Sequence, residues 1–172
     1  MAKNILVTGC SGGGKSTLID RLEGLGQAAV REPGLRAIQR GGPKPWEDIS
    51  AFVEAVTTLS QDDLQATRDI DGIVFFDRGL FDALSGKAER EKKAVSELLP
   101  AEFPYAEPVF FAPPWPEIFE NTAERQLPFE VAHAEAVRLR RDLVLLGVRT
   151  IELPRVSVTE RVKLILAELG LS

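Results

Sequence analysis

The sequence holds one cysteine, one histidine and one tyrosine. Cys10 alone excludes an intrachain disulfide and any metal site built from clustered cysteines. His133 has no second histidine with which to share a metal. It falls one turn after Phe129 and before Val137, so it reads as a partly buried helix residue. A basic excess is missing as well: 21 Lys and Arg stand against 26 Asp and Glu, for a net charge of -5. That balance speaks against a general nucleic-acid binder, although it leaves room for a local basic groove. Lys87, Arg90, Lys92 and Lys93 alternate with glutamates and read as a solvated face. Long apolar runs are absent too. The first, Ile5-Leu6-Val7, is far too short for a signal peptide or a membrane span, so a cytoplasmic protein with no membrane partner is expected. There is no long polar tract, and 44% of the 172 residues are hydrophobic, which predicts one compact domain over 1–172.

What is present alternates between strand and helix signals. Asn4 to Thr8 is a short, almost wholly apolar run that stops at Gly9, as a strand buried on both faces should. A helical pattern follows from Lys15 to about Leu25, and Gln27 to Val30 is a second strand ending in a loop, Arg31-Glu32-Pro33-Gly34. Two glycines and two prolines make 40–46 a loop, after which Trp46 to about Asp69 reads as a long helix. Ile73-Val74-Phe75-Phe76 is the strongest strand signal, and a charged helix is predicted over Lys87 to Leu99. Pro108 to Ala112 and Val148 to Leu153 are the fourth and fifth strands. Between them a short helix is expected over Ile118 to Arg125 and a long one over Phe129 to Leu146. A last helix runs from about Ser157 to Leu169. Five strands alternating with helices predict a three-layer α/β/α fold on a parallel sheet, with ligands at the carboxyl ends of the strands.

Between the first strand and first helix lies Gly9-Cys10-Ser11-Gly12-Gly13-Gly14-Lys15-Ser16. It fits G-x-x-x-x-G-K-[ST] in the strand–loop–helix setting that gives the pattern meaning. Gly9, Gly12, Gly13 and Gly14 let the backbone curl so that successive N–H groups point into one cavity and meet phosphate oxygens. The helix start adds the positive end of its dipole. Lys15 is placed to reach the β- and γ-phosphates of ATP, Ser16 to bind Mg²⁺, and Thr17 to donate to the α-phosphate.

Phe76-Asp77-Arg78 closes the third strand. Many hydrolases with this loop place a glutamate after the aspartate to activate water. Arg78 is a fixed cation with five donors and cannot act as a base. Asp77 is placed either to accept a proton from a hydroxyl acceptor or to hold Mg²⁺ through water, and Arg78 to grip an acceptor phosphate or carbonyl. A surface ion pair at a strand end is the plainer reading. After the second strand, Arg31 is a candidate for acceptor phosphate and Glu32 for a sugar hydroxyl, against an exposed charged turn. Arg138, Arg140 and Arg141 read as a solvated stripe, and Trp115 as a packing anchor more than a base-stacking ring.

These features resemble the P-loop kinases that phosphorylate nucleosides and nucleoside monophosphates. Arg31-Glu32-Pro33-Gly34 and Asp77-Arg78 look like the substrate loops of thymidylate kinases. The chain is more similar still to a family of small stand-alone predicted ATPases or kinases named for an AAA domain, itself similar to nicotinamide riboside kinase domains. That likeness is carried by 9–17, Arg31-Glu32-Pro33, Phe76-Asp77-Arg78-Gly79 with Asp82, Pro113-Pro114-Trp115-Pro116-Glu117-Ile118, Glu124-Arg125, and Glu152-Leu153-Pro154 with Val158 and Arg161-Val162. Thr122 stands where the family often has Asp. The resemblance implies a lid over 118–129, with Arg125 stabilising transition-state charge, and an adenine contact at Pro154. It implies ATP and Mg²⁺ as cofactors, a nucleoside- or nucleotide-like small acceptor as partner, no nucleic acid, and a monomer or homodimer. The alternative activity is a slow NTPase or a nucleotide-dependent switch acting on a protein partner.

Overall fold

The computed structural model describes residues 1–123 and 126–171. Its elements are β1 (Ala2–Gly9), α1 (Lys15–Gly24), β2 (Ala28–Val30), α2 (Pro33–Gln39), α3 (Ile49–Ala66), β3 (Gly72–Asp77), α4 (Leu80–Glu91), β4 (Ala106–Ala112), α5 (Phe129–Leu145), β5 (Thr150–Glu152) and α6 (Val158–Glu168). The strands form one five-stranded sheet in the order β2-β3-β1-β4-β5, with every neighbouring pair parallel.

The period-two alternation of strand side chains divides the core between the two faces. Leu6, Val74, Phe76 and Phe111 face one way, against Phe81 and Leu84 of α4 and Ala136 and Leu139 of α5. Ile5, Val7, Phe75 and Phe110 face the other, against Leu18 and Leu22 of α1 and Val162 and Ile165 of α6. Ile5, Leu6 and Val7 are all 0% exposed, which is why β1 shows no polar alternation in sequence. Burying a side chain such as Phe75 contributes about 1.5–3 kcal/mol. A smaller cluster of Ala37, Val56 and Ala83 joins α2 and α3 to α4. That sub-layer stands beyond the carboxyl ends of β1 and β3 and walls the larger cavity described below.

Four boundaries differ from the sequence reading. The helix expected over 87–99 begins at Leu80 and ends at Glu91, followed by a separate 3₁₀ turn at Val95–Glu97. Its first turns are buried nearly all round, so they lack the one-sided pattern that marks a surface helix. Asp82 Oδ2 accepts from Gly79 N at 3.0 Å to cap the start, and Lys92 ends the helix in the left-handed region at φ 54. The loop expected at 31–34 is cut short because Pro33 opens α2, where its missing N–H costs nothing. Over 118–125 the expected helix is only a 3₁₀ turn at Pro116–Ile118 among the described residues. The long third helix starts at Ile49, where Asp48 caps it by accepting from Ala51 N at 3.0 Å.

At Gly9 the chain leaves β1 against the backbone of β4. Its φ is +119, and a Cβ there would stand 2.2 Å from the Ala112 carbonyl oxygen. Gly9→Ala is therefore expected to cost about 3 kcal/mol or more, read as a lower urea midpoint at unchanged slope.

Candidate active site

The β1–β3 register sets Val7 opposite Asp77, so the phosphate loop starts just above the end of β3. Gly12 and Gly14 take φ values of +75 and +83, and Gly14 caps α1 from the left-handed region. The loop closes on itself with Lys15, whose Nζ donates to the Cys10 carbonyl at 2.7 Å. Burial, helped by the nearby Arg78 guanidinium, pushes the Lys15 ammonium down to about 8, while Asp77 pulls the other way. The residue is nonetheless cationic at neutral pH.

Ser16 Oγ donates to Asp77 Oδ2 at 2.9 Å. Asp77 is 1% exposed. Burial, reinforced by the Glu32 carboxylate, pushes its carboxyl up to about 6. Its other oxygen, Oδ1, is buried and has no hydrogen-bond partner among the described residues.

Arg78 adopts φ +60, unusual for a side chain of this size, and its amide is held by the Val7 carbonyl at 2.9 Å. That backbone sends the guanidinium back across the site. It donates to the Gly9 carbonyl at 3.0 Å, to Glu135 Oε1 at 2.6 Å and to Asp82 Oδ1 at 3.3 Å, with Glu32 Oε1 at 3.9 Å from Nε. Burial works against its charge, but Glu135, Asp82 and Glu32 more than offset that and hold its pKa above the ordinary value. Asp82, bonded also to Thr8, is pushed up by burial against the pull of Arg78. Arg78 is thus a hub for three carboxylates rather than a free grip. Arg78→Met keeps the backbone demand and leaves those acids unpaired, so a loss of about 3–5 kcal/mol in urea unfolding is expected.

Two cavities meet here. One, of about 520 Å³, runs along the phosphate loop past Thr17 to Trp115, Val156 and Arg161. The other, of about 800 Å³, lies between α2, α3, α4 and α5 and is walled by Trp46, Ile49, Phe52 and Val53. Ser11, Ser16, Glu32 and Arg78 line both. Lys15, Ser16, Asp77, Glu32 and Arg78 are therefore brought together as the sequence suggests, and Thr17 borders the phosphate-loop cavity. Asp77 itself lines neither cavity; it stands behind Ser16.

Arg31 is not brought in. It turns onto α1, pairs with Asp20 and Glu23, and lines neither cavity. Successive residues leaving a strand point to opposite sides, so Glu32 enters the site where Arg31 cannot. Pro154 does not line the phosphate-loop cavity either; Val156, Ser157 and Val158 do, while its carbonyl accepts from Arg161 Nε at 2.7 Å. Arg125 lies outside the described residues. His133 is on α5 but exposed, with its ring 6.2 Å from that of Phe129.

Three site residues escaped the sequence reading. Glu135 and Arg138 fall in phase with Val131 and Asp142 on one stripe of α5, a spacing that separates Arg138 from its solvated neighbours Arg140 and Arg141. Arg161 is 2% exposed, stacks at 4.7 Å over Trp115 and donates to the Gly13 carbonyl at 2.7 Å. It ties α6 to the phosphate loop with no ion-pair partner among the described residues, and burial lowers its pKa.

Residues 4–161 match the family described as AAA domain. The chain belongs to that family. No curated protein matches it in sequence. Among solved structures, this AAA domain protein is similar to a deoxyadenosine kinase from M. mycoides with bound dATP, with TM-score 0.71 and 13% identity over 98% of this chain and 99% of that one. It is also similar to the NadR protein in complex with NR, with TM-score 0.75 and 14% identity over 99% of this chain and 52% of that one. At such identities the likeness shows the fold alone: a five-stranded parallel α/β/α domain of the nucleoside kinase type.

Proposed function

We propose that this AAA domain protein transfers the γ-phosphoryl group of ATP to a hydroxyl of a small nucleoside-like acceptor. The observation that carries the reading is the junction of the two cavities at Ser16, Glu32 and Arg78. Nucleotide phosphates enter from one side, an apolar ring from the other, and the reacting atoms meet at the end of β3. The larger cavity, about 800 Å³, is in the range that takes a small ligand. The deoxyadenosine kinase and NadR likenesses favour the same chemistry.

Ser16 and Asp77 suit Mg²⁺. Their oxygens are hard ligands already 2.9 Å apart, and Asp77 Oδ1 is buried without a hydrogen-bond partner among the described residues. When bound, Mg²⁺ neutralises charge developing on the β- and γ-phosphate oxygens.

Glu32, rather than Asp77, takes the acceptor proton, because its carboxylate reaches both cavities while that of Asp77 is closed off. The acceptor oxygen bonds to the γ-phosphorus, the bond to the β–γ bridging oxygen breaks, ADP departs, and the hydroxyl proton passes to Glu32. Lys15 and the loop amides hold the phosphates; by resemblance, Arg125 in the 118–129 lid supplies a further cation.

A hydroxyl acceptor suits this site better than a monophosphate. Arg78 is already engaged by Glu32, Asp82 and Glu135, and Arg31 is turned away. A second anion at the reacting end of the cavity would meet Glu32, Asp82 and Glu135. Nucleosides and their 5′-monophosphates, offered separately with ATP and Mg²⁺, test this. Nucleosides are expected to be turned over with kcat/KM at least about 100-fold higher. ADP release unaffected by every acceptor would favour a slow NTPase or switch instead.

A further inference from the structure

Resting on that reading, the geometry points to Arg138 as the residue that selects the acceptor ring. Its guanidinium donates to the oxo edge of a base and disfavours an amino-bearing edge.

Arg138 lies one helical turn beyond Glu135 on α5, about 4.5 Å further from Arg78 along the helix axis. It lines the larger cavity together with the apolar Trp46 and Phe52. A ring seated there, with its hydroxyl at Glu32, turns its far edge to Arg138.

The side chain is fixed from behind. Arg138 Nε donates to Ser85 Oγ at 3.0 Å, and Ser85 Oγ donates to Asp142 Oδ2 at 2.7 Å. Asp142 Oδ1 accepts from Arg141 Nε at 3.0 Å. Ser85 and Asp142 are 0% and 3% exposed, so this clamp is shielded from water. Beneath the fork is Gly86, where a Cβ would come 3.7 Å from an Arg138 Nη atom.

The front of the side chain feels the Glu135 carboxylate as a charge but spends no hydrogen bond on it. Among the described residues neither Nη group donates a hydrogen bond, whereas Arg78 is bonded to Glu135 and Asp82 and Arg90 to Ser50. A guanidinium offers donors only, so it matches a carbonyl oxygen, or a carbonyl oxygen beside a ring nitrogen, and clashes with an amino group. The Ser85–Asp142 clamp lowers the ordering cost of that match, since only part of the fork must still be fixed.

The probes are inosine against adenosine and uridine against cytidine. Calorimetric binding and ATP-dependent transfer are measured for the wild-type protein, Arg138→Met and Arg138→Lys, with melting curves to establish that each variant is folded. The wild-type protein is expected to prefer the oxo partner of each pair by about 10–100-fold, mainly in KM. Arg138→Met brings both pairs within about threefold, and Arg138→Lys, which keeps the charge but loses the fork, falls between. Arg138-dependent preference in binding without any transfer would sustain the inference and remove the kinase reading. Transfer with no oxo preference, or with a preference that survives in Arg138→Met, would overturn the inference and leave the kinase reading standing. Failure of all four nucleosides to bind would overturn it as well.

Discussion

Replacing Glu32 with glutamine is expected to slow acceptor-dependent transfer about 10²–10⁴-fold, mostly in kcat. The substitution keeps the size and polarity of the side chain and removes only its ability to take a proton. Glu32 is the carboxylate that lines both cavities, 3.9 Å from Arg78 Nε at the point where hydroxyl and γ-phosphate would meet. A second effect follows from charge. Glu32 stands next after burial among the causes that hold Asp77 up to about 6. Neutralising Glu32 therefore lowers the Asp77 pKa, and the pH range over which stability depends on that group narrows from its upper end. Steady-state kinetics with a saturating nucleoside, paired with urea unfolding between pH 4 and 7, reads both. A transfer rate within about threefold of wild type would move the proton acceptor elsewhere.

Asp77→Asn is expected to separate stability from activity. In the free protein the Asp77 carboxyl titrates near 6 instead of its ordinary 3.8, chiefly because burial disfavours its charge. The folded state thus binds this proton more tightly than the unfolded chain does. The contribution is fully present below about 3.8, is lost as pH rises through about 6, and leaves an ionised, poorly solvated carboxylate at neutral pH. Asparagine removes that charge, fits the same space and still accepts from Ser16. The free variant is expected to gain about 1–3 kcal/mol at pH 7 and to lose the decline in stability between pH 4 and 6. Transfer, however, falls by about 10³-fold or more, since the carboxylate proposed to hold Mg²⁺ with Ser16 is gone. A variant that is both inactive and less stable would contradict this account of the buried charge. Such a trade is common where a site is built for a ligand and strained without it.

The fold was legible because its signals are local. The four-residue apolar run at Ile73–Phe76 and the G-x-x-x-x-G-K-[ST] loop each specify a strand end or a helix start with no help from distant residues. The missed start of α4 has the opposite cause: Leu80 to Ser85 are buried on every side by partners far along the chain, so no face shows. The phosphate loop was equally legible, since its backbone curvature and the lysine are written into one motif, whereas the cavity beyond it is lined by Val156 and Arg161 and not by Pro154. The acceptor side was not legible. Arg31 and Glu32 are adjacent in sequence and alike in polarity, and only the direction in which β2 ends sends one to α1 and the other into the cleft. Arg78 looked like a free cation because Asp82 and Glu135, which engage it, come from two different helices. Arg138 looked solvated because Ser85, its clamp, is 53 residues away.

Phosphate transfer from ATP to an acceptor seated against α3 and α5, and not to water, is what we propose for this site. Its most direct test is the fate of the label when the full chain is incubated with γ-labelled ATP, Mg²⁺ and a panel of nucleosides. Label is expected in a phosphorylated nucleoside, in proportion to ADP formed, and only in the presence of that nucleoside. Label found wholly as inorganic phosphate, at a rate no nucleoside changes, would contradict the account.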